Sequence, residues 1–364
     1  MRKAATRAQG KGHGAQVWWK GTFLLLVLCA LGGFRVSANS APPREQANPF
    51  LGVWNISGQG PDSANVYWLE LNQDKDGKLT SLFLNRTSHP VPLTMVKIEN
   101  GELTFQTSGT PDKPTGPVFH AKVDGGKLVG YHMVTVRGPR GATPPPTPTE
   151  RKVEWIGVRP PVFPKADANA KHTFGTPIVL YDAAHMKMMP NMSLDSVWGI
   201  QGGDGKLAGW SVDEDGNFAN AAPGGKNLVS KQKFYNFRVD VEYKLEPHSN
   251  SGIYIRGRYE LQVLDDIDDT TTEPFLTQMA VYGRTAPLVR ASKPAGEWQT
   301  MDATVVENKI TVHLNGKLVQ NNTTIGGVTG GTLDNDELAP GPLMIQGDHG
   351  HVWIRKVIVT PINK

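Results

Sequence analysis

Four Asp-Gly or Asn-Gly pairs constrain this chain more than any other local feature. Asp76-Gly77, Asn100-Gly101, Asp124-Gly125 and Asn315-Gly316 each lie between two runs with strand-like patterning. Such pairs supply the positive φ angles that a tight hairpin turn needs. The flanking runs are 66–71 with 79–84, 95–98 with 103–106, 119–123 with 128–136, and 310–314 with 317–320. Three consecutive hairpins between residues 46 and 160 predict a small antiparallel β-barrel or meander. The 40 Gly and 27 Pro of the 364 residues, with few long helical patterns, extend the β-rich expectation to the whole chain.

A second β domain is expected over residues 175–364. Phe237–Leu245 alternates Phe237, Val239, Val241, Tyr243 and Leu245 with Arg238, Asp240, Glu242 and Lys244, as a half-buried antiparallel strand does. Strands at this density point to two packed sheets, a sandwich or jelly roll. The Pro-rich and small-polar residues 161–174 read as the linker. The proline run 138–149 reads instead as an exposed insertion, because 153–158 (VEWIGV) looks like one more strand of the first domain.

Residues 1–38 have the pattern of an export signal, with a basic lead, an apolar run at 23–31 and the small-residue end Val36-Ser37-Ala38. The apolar run is short for a bilayer span of ~20 residues, and an uncleaved anchor is the minor alternative. Cys29 follows Leu28 inside that run, a poor lipidation context. Removing this segment takes away six Lys/Arg, no acid and the only cysteine, leaving 32 basic against 34 acidic side chains. The remaining chain is expected to be periplasmic or extracellular and free of disulfides, and its charge gives no support for a nucleic-acid partner.

The richest polar stretch is 250–266, NSGIYIRGRYELQVLDD. Strand alternation puts Tyr254 and Arg256 on one face of a first run, and Glu260 and Gln262 on one face of a second. Ile253, Ile255, Tyr259, Leu261 and Val263 form the apolar side, and Asp265 stands at the exit. The plain reading is a solvated Arg256–Glu260 cross-strand ion pair of little energetic worth. A second polar group, Asp348 with His349 and His351, sits in GDHGHVW, where DHG also reads as a simple turn.

Residues 228–266, the segment GEWQTMDATVVENKITVHLNG and the ending GPLMIQGDHGHVWIRKVIVTPI together resemble the bacterial 3-keto-disaccharide hydrolase domain. That family is also described as 3-keto-glucoside lyase and 3-keto-2-hydroxyglucal hydratase. The resemblance spans roughly 176–362 and rests on NSGIYIRG, YELQVLD, GEW and IQGDHG in family order. It departs from the pattern at PIVLYDAAHMKMM and at 202–205. Residues 50–159 resemble small lipocalin-like barrels only loosely.

The resemblance implies a concanavalin A-like sandwich acting on oxidised (3-keto) glucosides or disaccharides. A 3-keto group acidifies the C2 hydrogen, so the glycosidic bond can break by elimination, with a base at C2, donors at the enolate oxygen and an acid at the leaving oxygen. Water then adds to give the 3-keto sugar. Glu260 or Asp265 is expected as base or acid, Arg256 at the developing negative charge, and His349 at the sugar site. Tyr254, Gln262, Asp348 and Tyr282 are the expected substrate contacts, and Trp298 and Trp353 read as core. No cofactor is required; a divalent ion on Asp265, Asp348 or His349 is an open alternative. Asp74-Lys75-Asp76-Gly77 and Asp213-Glu214-Asp215-Gly216 lack the later acid of a calcium loop and read as turns. Two other functions compete. One is a laminarinase-like retaining glycosidase using Glu260 and Asp265, whose carboxyls would need to lie ~5–5.5 Å apart. The other is a non-catalytic carbohydrate-binding sandwich.

Overall fold

The computed structural model describes residues 48–136, 149–165, 171–188, 193–203, 207, 209–220 and 225–363. The export segment with Cys29, most of the proline run and residues 204–206 lie outside the described residues.

The predicted turns form where the Asx-Gly pairs stand. Asn100-Gly101 and Asn315-Gly316 have both residues at positive φ, 51° and 73° in the first and 51° and 77° in the second, the signature of a turn whose twist matches the flanking strands. Asp74 Oδ1 accepts from the amides of Asp76 and Lys78, so the first acidic tetrapeptide is a hairpin turn. The second is closed by Gly216 N donating to the Asp213 carbonyl.

Eight strands between Gly52–Gly58 and Thr149–Val158 make one antiparallel sheet that curls into a nearly closed barrel. Its two end strands, Leu79–Asn85 and Met95–Glu99, are not paired with each other in the sheet; a single bridge, Phe83 to Val91, spans the connection between them. An aromatic interior fills it, with Trp54, Tyr67, Phe83, Phe105, Phe119 and Trp155 all buried. Gly130 is required here, since a Cβ would come 2.3 Å from the Trp155 ring.

The remaining strands form a sandwich of a nine-stranded and a five-stranded sheet. Phe237–Leu245 is central to the larger sheet, between Gln299–Val306 and the long C-terminal strand Val352–Asn363. Its odd-numbered residues are buried and its even-numbered ones half-buried, as alternation predicts. The smaller sheet runs Trp198–Ile200, Leu228–Phe234, Gly341–Ile345, Asn250–Ile255, Tyr259–Leu264. Ile253, Ile255, Tyr259, Leu261 and Val263 face the larger sheet and join its Val239, Val241 and Tyr243 in one core. At roughly 1.5–3 kcal/mol for each fully buried large apolar side chain, this layer fixes which face of the small sheet points outward.

Trp298 and Trp353, expected in the core, are half-buried instead. Lys244 Nζ lies 5.3 Å from the Trp298 ring centroid and 4.6 Å from that of Trp353, and Arg355 stacks at 4.3 Å on Trp298. The outward positions of the larger sheet thus carry a cation–π array. Residues 47–364 form one compact unit, and barrel and sandwich meet through specific bonds. Asn55 Nδ2 donates to Glu337 Oε1 at 2.7 Å, Tyr259 donates to Glu337 Oε2 at 2.8 Å, and Arg284 lies 4.0 Å over the Trp68 ring.

Candidate active site

The antiparallel pair Asn250–Ile255 and Tyr259–Leu264 sets Tyr254 opposite Glu260 and Gly252 opposite Gln262, with no register shift. These side chains stand on the face turned away from the core and floor a cavity of about 260 Å³. Its lining joins Tyr254, Glu260, Gln262, Tyr282, Asp348 and His349. Gly252 makes room for the acid, because a Cβ there would come 2.4 Å from Glu260 Oε1.

The Tyr254 hydroxyl is 2.8 Å from Glu260 Oε2, 2.8 Å from the Gly330 carbonyl and 2.9 Å from Gln346 Nε2. Gln346 Nε2 donates and the Gly330 carbonyl only accepts. One hydroxyl hydrogen cannot serve two acceptors, so the set is complete when Glu260 carries a proton and donates to Tyr254. Burial agrees, pushing the Glu260 carboxyl up to about 8, and the Asp348 carboxylate adds to the rise; a Tyr254 hydroxyl turned to donate to the carboxylate would act in the opposite direction. Burial also raises the Tyr254 phenol well above its ordinary value, which leaves it a neutral partner.

His349 Nδ1 and Asp348 Oδ1 are 2.7 Å apart and both side chains are about half exposed. With Nδ1–H donated to the carboxylate, Nε2 is the free acceptor nitrogen. The loop that carries them is pinned by buried Asn220, which donates to the carbonyls of Gly347 at 3.0 Å and Gly350 at 2.8 Å and accepts from Val352 N at 2.8 Å. Gln262 Oε1 is buried and has no hydrogen-bond partner among the described residues, a cost of about 1–3 kcal/mol that a ligand hydroxyl would relieve.

Two expected members stand elsewhere. The strand ends at Ile255, and Arg256 has φ 56° in the turn that follows, so it leaves the pleat and does not share the face of Tyr254. Its Nε donates to the Tyr235 carbonyl at 2.6 Å and its guanidinium stacks 4.2 Å from the Tyr235 ring centroid. Arg256 is therefore a buried structural cation, and no ion pair with Glu260 forms. Asp265 is an odd number of residues from Glu260, and without a bulge the two point to opposite faces. Its Oδ2 accepts from His248 N at 2.8 Å, capping the turn at 246–249. The Glu260–Asp265 pair that a laminarinase-like mechanism needs does not assemble. Among the described residues, no group of three His, Cys, Asp or Glu side chains gathers to hold a metal ion. His351 lies outside the cavity, stacked on Trp353 at 3.9 Å.

Residues 193–360 match the family model of the 3-keto-alpha-glucoside-1,2-lyase-like domain. The matched residues include the floor of the cavity and the DHG loop, whereas the barrel lies outside the match. A candidate glycosyl hydrolase from Parabacteroides distasonis is 27% identical, over 54% of this chain and 92% of its own, with a TM-score of 0.41. A second from that organism is 18% identical, over 46% of this chain and 89% of its own, at 0.38. A Bacillus subtilis carbohydrate binding module is 11% identical, over 47% of this chain and 95% of its own, at 0.27. No curated protein matches the chain.

Sequence reasoning passed over several lining residues of the cavity. Gln346 stands inside the IQGDHG segment that carried the family resemblance, and its amide meets Tyr254. Gln201, Asn227, Gly330 and Gly331 arrive from loops, and Thr87 and Ser88 come from the barrel. Only the double glycine of GVTGGT was a local signal; Gly331 has φ 76°, and a Cβ there would meet the Tyr254 hydroxyl at 2.7 Å.

Proposed function

We propose that the protein cleaves 3-keto-glucosides by elimination across C1 and C2, followed by hydration to the free 3-keto sugar. The observation that carries this reading is the buried Glu260 carboxyl bonded to Tyr254 on the cavity floor, in one lining with a histidine bonded to an aspartate. His349 Nε2 takes the C2 hydrogen as a proton; the electron pair passes through the enolate of the 3-ketone and forms the C1–C2 double bond as the C1–O bond breaks. Glu260 gives its proton to the departing glycosidic oxygen, worth typically 10²–10⁴ in rate for a positioned acid. In the return half, Glu260 as carboxylate accepts a proton from water as it adds at C1, and the imidazolium returns one to C2.

Charge at the enolate oxygen falls to neutral donors such as the Tyr282 phenol and the amides of Gln262 and Asn227. No arginine or lysine is among the described lining residues. A keto-stabilised anion needs less electrostatic help than an oxocarbenium reaction, and that fits a site with one acid and one imidazole. Export of the protein, expected from its first 38 residues, would place this chemistry outside the cytoplasm.

The test is substrate dependence. The purified protein is expected to cleave methyl 3-keto-α-glucoside, to leave methyl α-glucoside intact, and to exchange the C2 hydrogen with solvent deuterium. Equal turnover of the unoxidised glucoside would refute the keto-dependent route. Binding of both sugars without turnover would favour the carbohydrate-binding module.

A further inference from the structure

The barrel lies outside the lyase-like match, yet it reaches the cavity through one short connection. Thr87 and Ser88 line the same space as Tyr254 and Glu260. They follow the edge strand Leu79–Asn85 and precede the bridge at Val91.

That connection is built into the sandwich, not laid over it. Gly331 N donates to the Arg86 carbonyl at 2.8 Å. Ser88 approaches Gly330 so closely that a Cβ on the glycine would lie 2.0 Å from the Ser88 carbonyl oxygen. Gly283 receives His89 in the same way, with 2.3 Å from a would-be Cβ to the His89 Cβ. The Ser88 hydroxyl lies 3.3 Å from His89 Nδ1, and the His89 ring meets the Tyr282 ring edge-on at 6.2 Å between centroids. Arg86 and Ser88 hold φ of 59° and 71°, conformations that cost non-glycine residues about 1–3 kcal/mol each and persist where surroundings enforce them. The Gly330 carbonyl that abuts this connection is itself a partner of the Tyr254 hydroxyl. At about 260 Å³ the cavity is smaller than the ~300–1,000 Å³ of drug-sized ligand pockets, which suits one sugar ring and not a run of them.

We propose that the barrel supplies a specificity-determining wall of the sugar site, Thr87 and Ser88, which admits a terminal oxidised ring and limits the size of the aglycone beside it. This rests on the 3-keto-glucosidase reading for the identity of the ring, and on the geometry for the wall.

The experiment uses full-length Thr87→Trp protein with methyl 3-keto-α-glucoside and a 3-keto-disaccharide. The expected result is a KM at least tenfold higher for the disaccharide, a smaller rise for the methyl glucoside, and kcat for the latter within threefold of wild type. Unchanged KM for both, or an equal loss of kcat for both, overturns the wall. Should the tryptophan variant fail to fold, hydrogen–deuterium exchange decides the matter in Glu260→Gln protein with methyl 3-keto-α-glucoside. Protection at both 85–90 and 326–331 is expected; protection confined to the sandwich, or none, overturns the proposal. Absence of turnover of either substrate by wild type would instead strike the functional reading, and the exchange result would still decide the wall.

Discussion

Tyr254 and Glu260 face each other across two antiparallel strands, hydroxyl to carboxyl at 2.8 Å, and the Gly330 carbonyl accepts from the same hydroxyl. A proton on Glu260 completes this contact, and its consequences can be measured.

The first concerns rate against pH. With Glu260 held up to about 8, activity that needs its proton should fall as pH rises through about 8. Burial sets most of that position, and the Asp348 carboxylate adds to it. Asp348→Asn should therefore move the alkaline limb of kcat/KM to lower pH, while the loss of the partner that orients His349 lowers kcat by at most about 10²–10⁴, the worth of a positioned base. A limb that stays in place would show that Asp348 does not act on Glu260.

A second consequence is thermodynamic. A carboxyl whose folded pKa is raised binds its proton more tightly folded than unfolded, so its contribution to stability is fully present below the ordinary carboxylate range and is lost as pH rises to about 8. Glu260→Gln keeps an N–H donor for Tyr254 and has no proton to lose. The variant should unfold at a higher temperature than wild type at pH 9, by an amount reflecting several kcal/mol at most, and the difference should shrink towards pH 5. Thermal melts at the two pH values check the sign.

Asp265 gives the contrasting case. Its carboxylate caps His248 N, so Asp265→Asn should cost about 0.5–2 kcal/mol of stability, in the range of lost caps, and leave kcat within about threefold. A 10²-fold loss of kcat without loss of stability would return Asp265 to the catalytic set.

Removing the Tyr254 hydroxyl should affect fold and chemistry together. Tyr254→Phe leaves Gln346 Nε2 and the Gly330 carbonyl without their shared partner in a buried site, at about 1–3 kcal/mol for an unsatisfied group. A denaturant midpoint that does not fall would mean that these groups find other partners.

What was legible in the sequence was what local rules determine. Asn100-Gly101 and Asn315-Gly316 specify their turns because the φ requirement is met within two residues. The period of two was enough to put Tyr254, Glu260 and Gln262 on one face and Ile253, Leu261 and Val263 on the other. The same rule misled at strand ends. Arg256 has the parity of Tyr254 but sits past the last paired residue, and Asp265 has the opposite parity to Glu260 and no bulge to correct it. Trp298 and Trp353 were mistaken for core because the cations that stack on them, Lys244 and Arg355, come partly from a distant strand. Gln201, Asn227, Thr87 and Ser88 reach the cavity only through tertiary packing, and nothing in their immediate neighbourhoods marks them.

The central claim is that Glu260 protonates the departing oxygen, and a leaving-group comparison in Glu260→Gln protein tests it most directly. A 4-nitrophenolate leaves without a proton, whereas methoxide does not. The account predicts that kcat/KM for methyl 3-keto-α-glucoside falls by about 10²–10⁴ in the variant, while that for 4-nitrophenyl 3-keto-α-glucoside stays within about tenfold of wild type. An equal fall for both substrates would contradict it and make Glu260 something other than the acid.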